Sequence, residues 1–222
     1  MKYVLLTCAT VTLAVAVAFQ PSFAGSWLFW APLLGAYAVL SALAIRHMLR
    51  AGTLAKKLVP RGGDLALGAL IGGLLLLGTW FGRSHLAPMG APQAAWLLRL
   101  YLQVGSPDAL QRSVSLTALL LLLPLLEELV WRGLVLDELV KKLGRRRAWP
   151  LAALLYGLCH LPTVYLLRDN IAGPNPLVLF AALGAGLVWS FGANQLGRLT
   201  PIIVSHMAFT YFSAVQFRLP GM

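Results

Sequence analysis

Residues 114–136 read VSLTALLLLLPLLEELVWRGLVL, an apolar run into which Glu127, Glu128 and Arg132 have been set. About 20 apolar residues suffice to cross the hydrocarbon core of a bilayer, so this stretch reads as a transmembrane helix. Each ionisable group near the centre of such a helix costs about 2.5 to 3.5 kcal/mol on insertion scales. Three of them so close together are the first candidates for chemistry.

The rest of the chain repeats the apolar pattern. Of 222 residues, 59% are hydrophobic and 11% charged, against about 25% charged in soluble domains. This composition excludes a soluble enzyme and predicts an all-α, polytopic transmembrane helix bundle. Candidate spans fall at 3–19, 27–48, 64–82, 107–143, 149–167, 176–191 and 199–216, about seven in all. The whole chain, 1–222, reads as one integral membrane domain. Residues 1–104 hold the N-terminal spans and an interfacial segment, and 105–216 hold the helices that carry the polar groups.

A net charge of +11 would point to nucleic acid in a soluble protein. Here the cations sit in blocks beside apolar spans, Arg46 to Arg61 and Lys141 to Arg147, so they orient the chain instead. The two blocks lie two spans apart and are expected on the cytoplasmic side. The segment 83–112 between those spans, with Trp96 and Tyr101, then forms a short interfacial helix on the other side. Lys2, the apolar run to Phe19 and Ser22-Phe23-Ala24 also read as a signal peptide with a small-x-small cleavage site. Cys8 and Cys159 are too far apart in sequence to indicate a disulfide framework.

Local signals define the fourth helix. Ser106 is placed to cap it, Asp108 falls in its first turn, and Lys141, Lys142 and Gly144 mark its C-terminal end. At about 1.5 Å per residue, Glu127 lies about 14 Å from the basic end of its span, His160 about 17 Å and His206 about 10 Å. Three helices thus present ionisable groups at similar depth. A carboxylate and two histidines in an intramembrane cavity can activate water and stabilise an oxyanion. A lone membrane histidine, by contrast, is usually an interhelical hydrogen bond.

Helical geometry separates the two glutamates. Glu128 and Arg132 are i,i+4 and share a face, so the guanidinium can hold that carboxylate ionised. Glu127 points about a third of a turn away and has no such partner on its own helix, which suits it to be a general base. Glu128 and Arg132 then act as its support.

Three patterns together, Glu127-Glu128-x-x-x-Arg132, Tyr156-x-x-x-His160 and His206-x-x-x-Thr210, resemble the motifs of the CPBP intramembrane proteases. That family groups type II CAAX prenyl endopeptidases with bacteriocin-processing and self-immunity proteins. The resemblance covers about 105–216; the earlier spans match only as generic apolar helices. It implies a glutamate-dependent peptidase of a bacterial inner membrane, possessing no cofactor and acting on a membrane protein or peptide substrate. Glu127 and His160 would activate water, while His206 and the residue four positions on would donate to the oxyanion. Tyr156 and Trp131 are expected to contact substrate.

Two positions depart from the family pattern. Tyr156 stands where phenylalanine is usual, adding a hydroxyl, and Thr210 stands where asparagine is usual. Losing an oxyanion donor costs on the order of 100 to 1,000-fold in rate, so Thr210 is the position that puts turnover in question. The alternatives are a non-catalytic scaffold or immunity protein, a zinc-dependent protease and a transporter. Two glutamates and two histidines are an acceptable zinc set, but no H-E-x-x-H spacing occurs. A transporter predicts internal repeats or paired broken helices, and neither is visible in this sequence.

Overall fold

Two serines decide where the fourth span begins. In the computed structural model, which describes residues 1–215, Ser106 caps a short helix, its Oγ accepting from the Ala109 amide at 3.2 Å. Ser113 then caps a second, accepting from the Leu116 amide at 3.3 Å. The continuous helix expected over 107–143 is therefore divided. A serine side chain that bonds the backbone competes with the helical ladder, and Thr117 Oγ1 donates to the Leu110 carbonyl at 2.7 Å across the corner.

The structure is 81% helical, with no strands among the described residues. In order they form α1 (Lys2–Ala18), α2 (Trp27–Arg50), α3 (Leu54–Leu58), α4 (Asp64–Leu86), α5 (Ala94–Val104), α6 (Pro107–Arg112) and α7 (Val114–Val130). A π-helical turn, Trp131–Val135, leads into α8 (Leu136–Leu143). Then come α9 (Arg145–Leu158), α10 (Leu161–Leu166), α11 (Leu177–Leu196) and α12 (Thr200–Val215). The expected end of the last helix, at residue 216, lies outside the described residues.

Five segments are long and apolar enough to cross a membrane: Trp27–Arg50, Asp64–Leu86, Val114–Leu143, Arg145–Leu166 and Leu177–Leu196. Lys2–Ala18 and Thr200–Val215 are shorter apolar helices. Leu65, Leu70, Leu74, Trp80 and Phe81 of α4 are exposed, an apolar face of the kind that lipid covers in a spanning helix.

The expected basic end is one end of the bundle. Lys57 Nζ donates to Asp137 at 2.6 Å, the Leu199 amide to the Lys57 carbonyl at 2.8 Å, and Lys141 lies 3.3 Å from His47. Arg198 pairs with Asp64, and Arg145 donates to the Asn194 carbonyl. The opposite end is fastened by α5: Gln103 donates to the Ala18 carbonyl at 2.9 Å, and Asn175 to the Trp96 carbonyl at 3.0 Å.

Close backbone approach seats the helix that carries His206. A Cβ added at Gly68 would lie 2.7 Å from the Val204 side chain and 2.8 Å from the Pro201 carbonyl. At Gly72 it would meet the Ser205 carbonyl at 3.2 Å, whereas at Gly73 it meets nothing within 4 Å. The small-residue spacing of α4 is thus a bed for α12, the usual use of glycine between membrane helices.

Candidate active site

The expected span 149–167 is interrupted at its histidine. Pro162 has no N–H to offer the Leu158 carbonyl, and the His160 amide instead closes a tighter turn on Gly157 at 2.9 Å. His160 sits between α9 and α10 at φ −91°, ψ 1°, the sparsely populated bridge region where many active-site residues are found. Its Nδ1 contacts the Tyr156 carbonyl at 2.9 Å. A carbonyl only accepts, so Nδ1 carries the proton and Nε2 keeps a free lone pair.

α7 and the π turn supply the charges. Glu128 Oε1 receives Arg132 Nη1 at 3.0 Å and His206 Nδ1 at 2.8 Å. Arg132 Nη2 also donates to the Gly186 carbonyl at 3.3 Å, and the guanidinium lies over the Tyr156 ring, 4.8 Å from its centroid. Glu128 and Arg132 are sealed, at 0% and 1% exposure, while Glu127 retains 9%. Of the two carboxylates, Glu127 is the less sealed. Glu128 Oε2 and Arg132 Nε have no hydrogen-bond partner among the described residues. Such incomplete pairing of a buried ion pair costs stability, which points to a role beyond holding the fold.

Glu127 is not unpartnered, as its own helix had implied. Tyr156 Oη donates to Glu127 Oε2 at 2.9 Å, and His206 Nε2 lies 3.6 Å from the same oxygen. His206 is further held by Trp189, whose ring stacks on it at 3.7 Å between centroids and 26° between planes. Trp189 Nε1 donates to Ser205 Oγ at 3.1 Å, so that ring is itself fixed. Sequence reasoning missed Trp189. It lies among the glycines of the sixth span, where only close packing was legible.

Part of this cluster reaches the wall of a cavity of about 630 Å³, with Glu127 lying behind Tyr156 and His206. Tyr156, His160, His206 and Thr210 line it, and its remaining wall is mostly apolar, from α4, α5 and α11. Thr210 follows His206 by one turn of α12. Trp131 is placed otherwise: it is 1% exposed, donates to Tyr37 Oη at 3.0 Å and does not line the cavity. Its side chain packs the core because the π turn carries it toward α2. Cys8 and Cys159 also turn out to be neighbours, with Cys159 Sγ 3.6 Å from the Cys8 carbonyl.

Among the described residues, no three His, Cys, Asp or Glu side chains are grouped to hold a metal ion. The geometry gathers two carboxylates, two imidazoles, a phenol and a guanidinium from α7, the π turn, α9 and α12. No curated protein and no solved structure matches the chain. Residues 109–212, the stretch that holds every one of these groups, match the family model described as type II CAAX prenyl endopeptidase Rce1-like. Over that stretch the chain is similar to this family of membrane-embedded proteases, which is consistent with a CPBP family intramembrane protease.

Proposed function

We propose that the protein is an intramembrane endopeptidase that depends on Glu127. Glu127 and the free Nε2 of His160 take a proton from water, and the resulting hydroxide attacks the scissile carbonyl carbon. His206, held at Nδ1 by the Glu128 carboxylate, donates from an Nε2–H to the oxyanion, and the Thr210 hydroxyl is the second donor. Collapse of the tetrahedral intermediate breaks the C–N bond. The proton held by Glu127 and His160 then passes to the leaving amine.

One observation carries this reading: the less buried of two adjacent carboxylates lies 3.6 Å from a histidine of another helix, and that histidine lines an apolar cavity. An apolar lining favours a membrane-associated or C-terminally anchored protein as substrate. With the basic end in the cytoplasm, as the positive-inside rule asks, the protein would occupy a bacterial inner membrane. No cofactor is needed for these steps, and cleavage that survives a strong chelator would separate this mechanism from a zinc-dependent one.

Comparing membrane-protein termini by mass spectrometry in cells with wild-type and Glu127→Gln protein tests the proposal. A terminus found only with wild type identifies the substrate. Thr210 favours a second reading, a non-catalytic scaffold or immunity protein that retains the fold. On that reading Glu127→Gln leaves both termini and phenotype unchanged.

A further inference from the structure

Tyr156 touches three other groups of the site. Its hydroxyl meets Glu127, its ring face lies under Arg132, and its ring edge meets His160 at 4.9 Å between centroids. Gly186 makes room for it, since a Cβ there would lie 2.9 Å from Tyr156 Cδ1. The ring contacts would survive replacement by phenylalanine, whereas the hydroxyl contact would not. Only the hydroxyl reaches a carboxylate, and that carboxylate is the one proposed to activate water.

We infer that Tyr156 is a positioning residue whose hydroxyl anchors Glu127 as the base, with Oε2 occupied and Oε1 left to address water. This inference rests on the peptidase reading above only for the use made of Glu127. A hydrogen bond donated to a carboxylate favours its charged form, and the donation also fixes the side-chain rotation. Phenylalanine would supply the same packing without either effect. Tyr156 acts through Glu127 and forms no bond to the substrate.

The charge on Glu127 is set by few groups. On its own helix run these are Glu128 and Arg132; from α2 Tyr37 faces it, from α9 Tyr156 and His160, and from α12 His206. Substituting Tyr156 by Phe changes one of them and leaves the other five in place. Circular dichroism and thermal unfolding of Tyr156→Phe are therefore expected to match wild type closely.

The test needs no substrate. Wild type, Tyr156→Phe and Glu127→Gln are reconstituted as full chains, and carboxyl protonation is followed by difference infrared spectroscopy across pH. The band absent in Glu127→Gln reports Glu127. Its protonation is expected at a higher pH in Tyr156→Phe than in wild type, because the donor to the charged form is gone. Identical behaviour of Glu127 in the two proteins, whether at one shared midpoint or with no protonation in either, overturns the inference.

A parallel count of processed termini keeps the two claims apart. If the band moves but wild type releases no terminus that Glu127→Gln lacks, the positioning role stands and the peptidase reading falls. If wild type processes substrate, the acidic limb of its pH–rate profile moves the same way in Tyr156→Phe. A processing enzyme whose acidic limb stays put counts against Tyr156.

Discussion

His206 Nδ1 and Glu128 Oε1 meet at 2.8 Å, although 78 positions separate them in the chain. The carboxylate that binds this imidazole also binds Arg132. One buried carboxylate oxygen therefore serves two partners, and the strength of the site and its orientation depend on the same atom.

That shared atom predicts an asymmetry between substitutions. Removing one partner of a buried ion pair typically costs about 3 to 5 kcal/mol, because a charge is left uncompensated. Glu128→Gln strands Arg132 and should lower the unfolding temperature in detergent markedly. Glu127→Gln strands no cation and should leave that temperature nearly unchanged while abolishing processing. Equal destabilisation by the two would contradict the division between base and support.

Thr210 gives a second prediction, read in rate. Thr210→Val removes the hydroxyl at nearly constant volume and should lower kcat by about 100-fold, the lower range for losing an oxyanion donor. Thr210→Asn restores a longer donor and should hold or raise kcat. Single-turnover cleavage of the substrate identified from the termini measures both. If Thr210→Val keeps full kcat, the hydroxyl is not a donor in this site.

The bed beneath α12 yields a third. Gly68→Ala sets a methyl 2.8 Å from the Pro201 carbonyl, and overpacking of this kind costs about 1 to 3 kcal/mol. Gly73→Ala points into open space and should be neutral or slightly stabilising, since alanine is the better helix former by up to about 1 kcal/mol. Thermal unfolding distinguishes the two, and Gly68→Ala should also slow processing by moving His206.

A fourth concerns the loop between α10 and α11. Asp169 Oδ1 accepts from the Ile171 and Ala172 amides at 2.9 and 3.2 Å, and these bonds, with Arg99 nearby, hold its carboxyl below the usual range. A lowered folded-state pKa means stabilisation that is present above the unfolded value and lost as pH falls through the folded one. Asp169→Ala should therefore speed amide exchange at Ile171 and Ala172 at neutral pH. The difference from wild type should vanish once the pH is low enough to protonate Asp169.

Much of the site was legible because helices are periodic. The i,i+4 relation of Glu128 and Arg132 holds at 3.0 Å, and Ser106 caps its helix as the sequence implied. Ser113 could have been read as a second cap, since it precedes an apolar run, but an uninterrupted span looked equally good. The break at His160 had its signal in Pro162. Trp131, expected at the substrate, packs the core instead of lining the cavity, for its direction follows from the π turn, which has no sequence mark of its own.

Composition, span length and the placement of charges within spans by themselves determined an all-α membrane protein with its ionisable groups at a common depth. These are properties of one helix at a time, fixed by hydropathy and a rise of about 1.5 Å per residue. Tertiary structure alone decided which groups meet: His206 with Glu128, the Tyr156 hydroxyl with Glu127, and Trp189 with the His206 ring. The rotation of each helix about its axis is set by packing against its neighbours, through contacts such as those at Gly68 and Gly186. No local pattern encodes that rotation.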